Sequence, residues 1–347
     1  MKLKDLLYKV DVISGSDSTD NLLINKVEFD SRKIQKDDLF IAIKGNQLDG
    51  HDFIEQAIKN GAIAVLCQDE SINRIEGVCY IFVEDSSYSM SFISGNFYNN
   101  PSRSIKIIGV TGTNGKTTIV TLLHQLFTDM GFPVGMLSTI ENKILLKSEK
   151  SSHTTSDSIT INRMLAKMIQ AGCEYCFMEV SSHAIDQNRI SNIHFTGGIF
   201  TNITHEHLDY HESFKDYIYT KKNFFDSLDS TSFALTNRDD KNGLLMVSNT
   251  KAVKLTYSIN SIANYKCKIL ESRLDGMLLN IDNREVWVKL IGSFNASNLL
   301  AIYATSLHLG LNQEDILKKI SNLQSAEGRF QTIRNEEGIT GIVDYAH

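Results

Sequence analysis

A chain of 347 residues, 42% hydrophobic and 22% charged, has the composition of an ordinary globular protein of two or three domains. Chains of this size bury about three quarters of their unfolded surface, so neither a disulfide nor a structural metal is needed to hold a core. The formal net charge of −6 argues against a nonspecific nucleic-acid binder, which would carry a basic excess, but leaves anionic small ligands open.

The opening MKLKDLLYKVDVISG interrupts its apolar residues with Lys and Asp and builds no signal-peptide core. No stretch reaches the ~18 apolar residues of a membrane span, so a cytoplasmic protein is expected. LFIAIKG (39–45), a loop and helix in DGHDFIEQAIKNGA, and IAVLC (63–67) set up a strand–helix–strand rhythm. They predict a small α/β domain over residues 1–103, closed by the turn residues of FYNNPSRS.

IKIIGV (105–110) then opens a series of apolar runs suited to buried parallel strands, continued by CFMEV, GGIFTNI and SFALTN. Helical patterns separate most of them, TTIVTLLHQLFTDMG and TINRMLAKMIQAG each stopping at a glycine. This alternation predicts an α/β domain with a mostly parallel sheet over residues 104–330. Residues 251–291 read as β-rich, and SNLLAIYATSLHLG as a further helix. EGRFQTI (327–333) reads as a connector. GITGIVDYAH (338–347) reads as one strand without partners, ending in polar residues, within a third unit over 331–347.

The five cysteines, at 67, 79, 173, 176 and 267, are an odd number and do not suit a disulfide framework. Cys173-Glu-Tyr-Cys176 has redox or zinc spacing, but no second pair or spaced histidines accompany it. Ordinary half-buried thiols are expected.

VTGTNGKTT (110–118) follows a buried strand and opens a helix, the setting of a phosphate-binding loop. Its small residues let backbone amides turn toward a phosphate, and the helix N-terminus adds positive potential. Lys116 would reach the outer phosphates, and the Thr117 hydroxyl would hold Mg²⁺. The strict pattern has a glycine where Val110 stands, so a plain glycine-rich turn is the alternative. Glu179, at the end of CFMEV, places a carboxylate where α/β sheets meet their ligands and suits Mg²⁺; a solvated strand end is the bland reading. HEHLDYH (205–211) approaches the ligand run of zinc hydrolases, but Tyr210 breaks that spacing; a Mg²⁺ ligand or a solvated turn are the other readings. Of the adjacent Lys221 and Lys222, only one can face a site, because helical neighbours point ~100° apart.

In this setting GTNGKTT resembles the Mur ligases, the ATP-dependent ligases of peptidoglycan precursors, and the related folylpolyglutamate synthetases. MEVSSHAIDQNRI (178–190), HTTSDS (153–158) and FTNITHEHLDYHESFKDYIYTKK (200–222) narrow the likeness to the Mur ligases that add the third peptide residue. DSR (30–32) and IKGNQLDGHDF (43–53) fit that family's N-terminal domain, although its alanyl-alanine-adding members share the latter. The match runs over nearly the whole chain.

The resemblance implies an ATP-dependent amide ligase with Lys116, Glu179, His207, Lys221 and Arg329 as its catalytic residues. ATP would meet Gly112, Thr113, Asn114, Gly115, Lys116, Thr117 and Thr118, with Asn295 at the adenine, Arg329 at the phosphates and Asp344 at the ribose. Mg²⁺ would be held by Thr117, Glu179, His207 and Lys221, the last carbamylated. Ser31, Thr154, Thr155, Ser181, Gln187 and Arg189 would bind the UDP-muramoyl-dipeptide; a guanidinium fork at Arg189 suits a carboxylate. The added amino acid would be diaminopimelate, on family frequency, or lysine. The family's selectivity box, Asp-Asn-Pro-Arg, does not occur in the chain, so the sequence does not name the amino acid; the resemblance makes GITGIVDYAH the first strand of a Rossmann-like third domain cut short, and implies weak ligation by this chain alone. No nucleic acid or membrane partner is expected, and a monomer is. The rivals are a folylpolyglutamate-type ligase and a nucleotide-binding fragment without turnover.

Overall fold

Near-uniform burial along short apolar runs explains the first half of the architecture. In the computed structural model, which describes residues 1–16, 21–45, 48–151, 153–205, 210, 213–326, 328–334 and 340–345, the chain forms two compact units. One comprises Met1–Ser104, Ser156–Lys167 and Asp186–Ile193; the other comprises Ile105–Thr155, Met168–Ile185 and His194–His347.

Among the described residues, the first unit has five strands: β1 (Val12–Gly15), β2 (Val27–Glu28), β3 (Asp38–Ile41), β4 (Ala62–Cys67) and β5 (Cys79–Val83). Their order is β1-β5-β4-β3-β2, with β2 to β5 parallel and β1 antiparallel to β5. Successive side chains of a strand point to opposite faces. Leu39 and Ile41 therefore join Leu3, Leu6 and Ile93 on one face, while Phe40 and Ala42 join Ile54 and Ala57 on the other. Covering both faces is what makes a run like LFIA uniformly apolar. The helix Ile54–Asn60 stops at Gly61, whose φ of 117° is open to glycine.

Eleven described strands build the sheet of the second unit. They are β6 (Lys106–Thr111), β7 (Val134–Leu137), β8 (Glu141–Ile144), β9 (Lys147–Lys150), β10 (Tyr175–Glu179), β11 (Gly197–Phe200), β12 (Phe233–Asn237), β13 (Val253–Ser258), β14 (Tyr265–Arg273), β15 (Gly276–Ile281) and β16 (Arg284–Val288). The order is β16-β15-β14-β13-β12-β11-β6-β10-β7-β8-β9. From β7 across to β14 neighbours run parallel; β8–β9 and β15–β16 add antiparallel edges. The apolar faces of helices Lys116–Asp129 and Ser293–His308 pack into one core with this sheet. Strand β6 lies between β10 and β11, so the chain departs to both sides of it and leaves a crevice at the strands' carboxyl ends.

Two expectations need correction. EGRFQTI is more than a connector, because Gln331–Arg334 forms a strand, β17, antiparallel to Thr340–Val343, β18. The closing strand is thus not alone: β17 supplies the partner its backbone N–H and C=O groups need. This hairpin, rather than a single strand, follows residue 330, and its contacts group it with the second unit. The cysteines are all free and fully buried rather than half-buried. Cys176 lies inside β10, where burial raises its thiol pKa, the opposite of what a reactive thiolate needs.

Candidate active site

The turn from β6 into helix Lys116–Asp129 is shaped by the segment that leaves β11. Gly112 has φ of 148°, and a Cβ there would collide with the Thr201 hydroxyl. Gly115, with φ of 88°, passes so close to helix Ser293–His308 that a Cβ would sit 2.7 Å from Asn298 Oδ1. Both positions therefore require glycine. Thr113 N–H donates to Asn202 O at 2.8 Å, Asn114 N–H to Asn202 Oδ1 at 2.9 Å, and Thr201 Oγ1 to Asn114 O at 2.6 Å. Thr204 N–H donates back to Thr113 Oγ1 at 3.0 Å. The Lys116 ammonium lies over the loop, donating to Gly112 O at 2.9 Å and Thr113 O at 2.8 Å.

Below the loop runs the helix Phe214–Asp226, capped by Ser213 Oγ, which accepts Asp216 N–H at 3.2 Å. Lys221 is 1% exposed; its Nζ donates to Gly112 O at 3.2 Å and stands 4.7 Å over the Tyr217 ring. Lys222 points elsewhere, to Asp226 Oδ2 at 2.5 Å. Of the adjacent lysines, Lys221 is the one that meets the loop.

Glu179 ends β10 with 0% exposure. Its Oε1 accepts the Thr139 N–H at 2.7 Å and its Oε2 the Thr139 hydroxyl at 3.1 Å. Thr154 Oγ1 lies 3.2 Å from the same hydroxyl. A carboxylate buried among neutral donors suits a hard cation, and the Thr117 hydroxyl lines the same cavity. Thr155 Oγ1 donates to Glu179 O at 2.8 Å and accepts Ser181 N–H at 3.0 Å. Ser181 Oγ accepts the Ala184 N–H at 3.2 Å at the start of a short helix. Thr155 and Ser181 thus brace the strand end, whereas Thr154 faces the cavity.

That cavity, about 780 Å³, extends from the phosphate loop and Glu179 past the ends of β11 and β12 to helix Ser293–His308 and the hairpin. Asn237 Nδ2 donates to Thr201 O, and Asp240 Oδ2 accepts Ile203 N–H, each at 2.8 Å, so the end of β12 also fixes the loop's partner segment. Asn295, expected at the adenine, is 2% exposed; its Nδ2 donates to Ile291 O at 2.9 Å and its Oδ1 accepts Asn298 Nδ2 at 3.2 Å. Asn298 is the residue of the two that lines the cavity. Arg329 lines it as well, and its Nε is buried without a hydrogen-bond partner among the described residues. Asp344 reaches the same wall, with Oδ1 accepting Phe330 N–H at 3.4 Å. The cavity thus presents cationic side chains and a helix N-terminus, which suit a triphosphate, beside a carboxylate able to share a divalent cation.

Residues 110–306 match the Mur ligase middle domain, and residues 23–94 match the catalytic domain of the Mur ligase family. The chain belongs to the Mur ligase family. It is 48% identical over 348 residues to the UDP-N-acetylmuramoyl-L-alanyl-D-glutamate–2,6-diaminopimelate ligase of Cytophaga hutchinsonii, spanning 100% of this chain and 71% of that relative. The ligase of the same name from Parabacteroides distasonis is 48% identical over 350 residues, with the same coverage. A solved structure of such a ligase aligns with a TM-score of 0.85 at 27% identity, covering 100% of this chain and 71% of the other.

Of the residues singled out in the sequence, Thr113, Asn114, Gly115, Lys116, Thr117, Thr118, Thr154, Glu179, Arg329 and Asp344 all line one cavity. Lys221 abuts it from beneath through Gly112. His207, with His211, lies outside the described residues, and His205 stacks on the Phe214 ring at 4.0 Å between centroids. Ser31, Gln187 and Arg189 belong to the first unit. There Ser31 is 7% exposed, its carbonyl accepting Asn60 Nδ2 at 2.8 Å. The Arg32 guanidinium hydrogen-bonds Asp30 through Nε and Nη2 and holds that carboxyl down at about 2. Sequence reasoning missed Thr139, Asn202, Asn237 and Asn298. Asn237 closes the apolar run SFALTN and Asn202 stands next to last in GGIFTNI, positions near strand ends that mark ligand-side residues and could have drawn notice.

Proposed function

We propose that this Mur ligase joins diaminopimelate to UDP-N-acetylmuramoyl-L-alanyl-D-glutamate with hydrolysis of ATP to ADP and phosphate. The observation that carries the reading is the meeting of Lys116, Thr117, Glu179 and Arg329 around one cavity. The names of the relatives at 48% identity support the acceptor and the amino acid. No helix among the described residues is long and apolar enough to cross a membrane, and a soluble precursor suits a cytoplasmic enzyme.

In this reading the side-chain carboxylate of the D-glutamyl residue attacks the γ-phosphorus of ATP, giving an acyl phosphate and ADP. The amino group of diaminopimelate then adds to the acyl carbon, and collapse of the tetrahedral intermediate expels phosphate. Phosphoryl transfer of this kind needs positioning and charge neutralisation more than covalent help. The loop amides and Lys116 cradle the outer phosphates, and Arg329 adds a guanidinium from the far wall. Thr117, Glu179, His207 and a carbamate on Lys221 would hold Mg²⁺, which supplies further neutralisation of the phosphate charge. Asp344 would meet the ribose, with Asn298 lining the cavity beside the loop; Ser31, Thr154, Gln187 and Arg189 would serve the UDP-muramoyl-dipeptide.

Phosphate release measured with ATP, Mg²⁺, the dipeptide precursor and diaminopimelate tests the assignment. Lys116→Ala is expected to lower it at least about a hundredfold, the scale of losing a preorganised charge at the reacting centre. Release unchanged in that variant would overturn the mechanism.

A further inference from the structure

The segment Asp186–Ile193 groups with the first unit although it lies far from Met1–Ser104 in sequence. Two side-chain contacts tie it to the ends of the helix Ser86–Phe97. At the start, Asn188 Nδ2 donates to Asp85 Oδ2 at 3.0 Å, while Asp85 Oδ1 accepts the Tyr88 N–H at 2.9 Å as the helix N-cap. Beyond the other end, Asn192 Nδ2 donates to Asn100 Oδ1 at 3.2 Å. It passes so near Gly95 that any Cβ there would strike the Asn192 amide.

Asn188 has φ of 56°, in the left-handed region that asparagine tolerates better than other residues with a Cβ. Its Oδ1 accepts the Ser191 hydroxyl at 3.1 Å, so both ends of the amide are engaged. Gln187 and Arg189 stand on either side of it in sequence. Arg189 Nε donates to Gln187 Oε1 at 3.1 Å and Nη2 to the same oxygen at 2.5 Å. With one residue in a left-handed turn between them, the two side chains fold back on each other. An extended or right-handed backbone at Asn188 would swing them apart.

We propose that Asn188, latched by Asp85, is a positioning residue that presets the Gln187–Arg189 pair for the muramoyl-dipeptide. The inference rests on the reading that these two residues bind that substrate. Its physical basis is preorganisation: a guanidinium already held in its binding rotamer spends less entropy on meeting a carboxylate. Asp85 thus has two separable tasks, one per carboxylate oxygen. A serine at 85 can perform the cap alone.

Calorimetric titration of the full chain with UDP-N-acetylmuramoyl-L-alanyl-D-glutamate, and separately with ATP, tests the proposal. Asp85→Ser and Asn188→Ala are each expected to weaken precursor binding by about tenfold, the worth of a hydrogen bond to a charged group, and to leave ATP affinity unchanged. Asn188→Gly keeps the left-handed turn and is expected to lose less than Asn188→Ala. Precursor affinity that is unchanged in Asp85→Ser and Asn188→Ala, with both variants melting like the parent, overturns the proposal. An equal loss for ATP also overturns it, since that marks general disruption. Arg189→Ala examines the underlying reading by itself: precursor binding untouched by that change overturns the reading, and the latch's role with it.

Discussion

The cavity has two walls that carry positive charge, and they are built differently. The phosphate loop is held by backbone and side-chain hydrogen bonds from the segment that leaves β11 and from the helix Phe214–Asp226, with glycine at the two positions of closest approach. The opposite wall, at Arg329 and Asp344, stands on a two-stranded hairpin. There Tyr345 N–H donates to Gly328 O at 2.8 Å, Asp344 accepts at 3.4 Å, and the Phe330 ring meets Phe294 edge-on at 4.9 Å. The difference teaches that the nucleotide site has a preformed floor and a lightly anchored side. Substitutions in the floor should cost stability and binding together; substitutions on the hairpin should cost binding alone.

The sharpest way to break that comparison is Gly112→Ala. It places a Cβ against Thr201 at a backbone angle suited to glycine, so a destabilisation of about 3 kcal/mol in urea titration is expected, along with loss of ATP binding. A stable, ATP-binding Gly112→Ala would show the floor to be deformable. Next in size, Arg329→Ala is expected to weaken ATP binding by about tenfold, the worth of a charge-assisted contact. Its melting temperature should match the parent's, and a clear drop would show that the hairpin carries stability as well. The smallest effect lies behind the floor. His124, on the helix that the loop opens, is buried, and that burial lowers its pKa below the ordinary 6.5. The unfolded chain therefore binds the proton more readily, and stability is lost as pH falls from 6.5 through the lower folded value. Urea midpoints followed from about pH 7.5 to about pH 5 should fall, and His124→Gln should flatten part of that decline.

Local signals carried much of this site into view. VTGTNGKTT announces itself because phosphate binding needs small residues, a lysine and a helix start within a few positions. Glu179 is visible because an acidic residue ends an otherwise apolar strand. Helical geometry lets only one of Lys221 and Lys222 face the site, the family resemblance points to Lys221, and Lys221 is the one that meets the loop. Asn295 and Asn298 show what local signals leave open. Two asparagines three apart share a helix face, and only the packed structure reveals that Asn295 is committed to Ile291 while Asn298 faces the cavity. Thr139 carries no local mark at all, since its partner Glu179 lies 40 residues away. The pairing of β17 with β18 was missed because EGRFQTI has too few apolar positions to read as a strand without its partner.

The hydrogen bonds that shape the phosphate loop span 88, 91 and 109 residues of chain. Closing separations of that size spends conformational entropy before any contact is gained. A peptide carrying the whole GTNGKTT sequence would therefore lack the groups that turn its amides inward. In this protein the loop is long-range structure written in a short-range code, and it comes into being only when the sheet around it has closed.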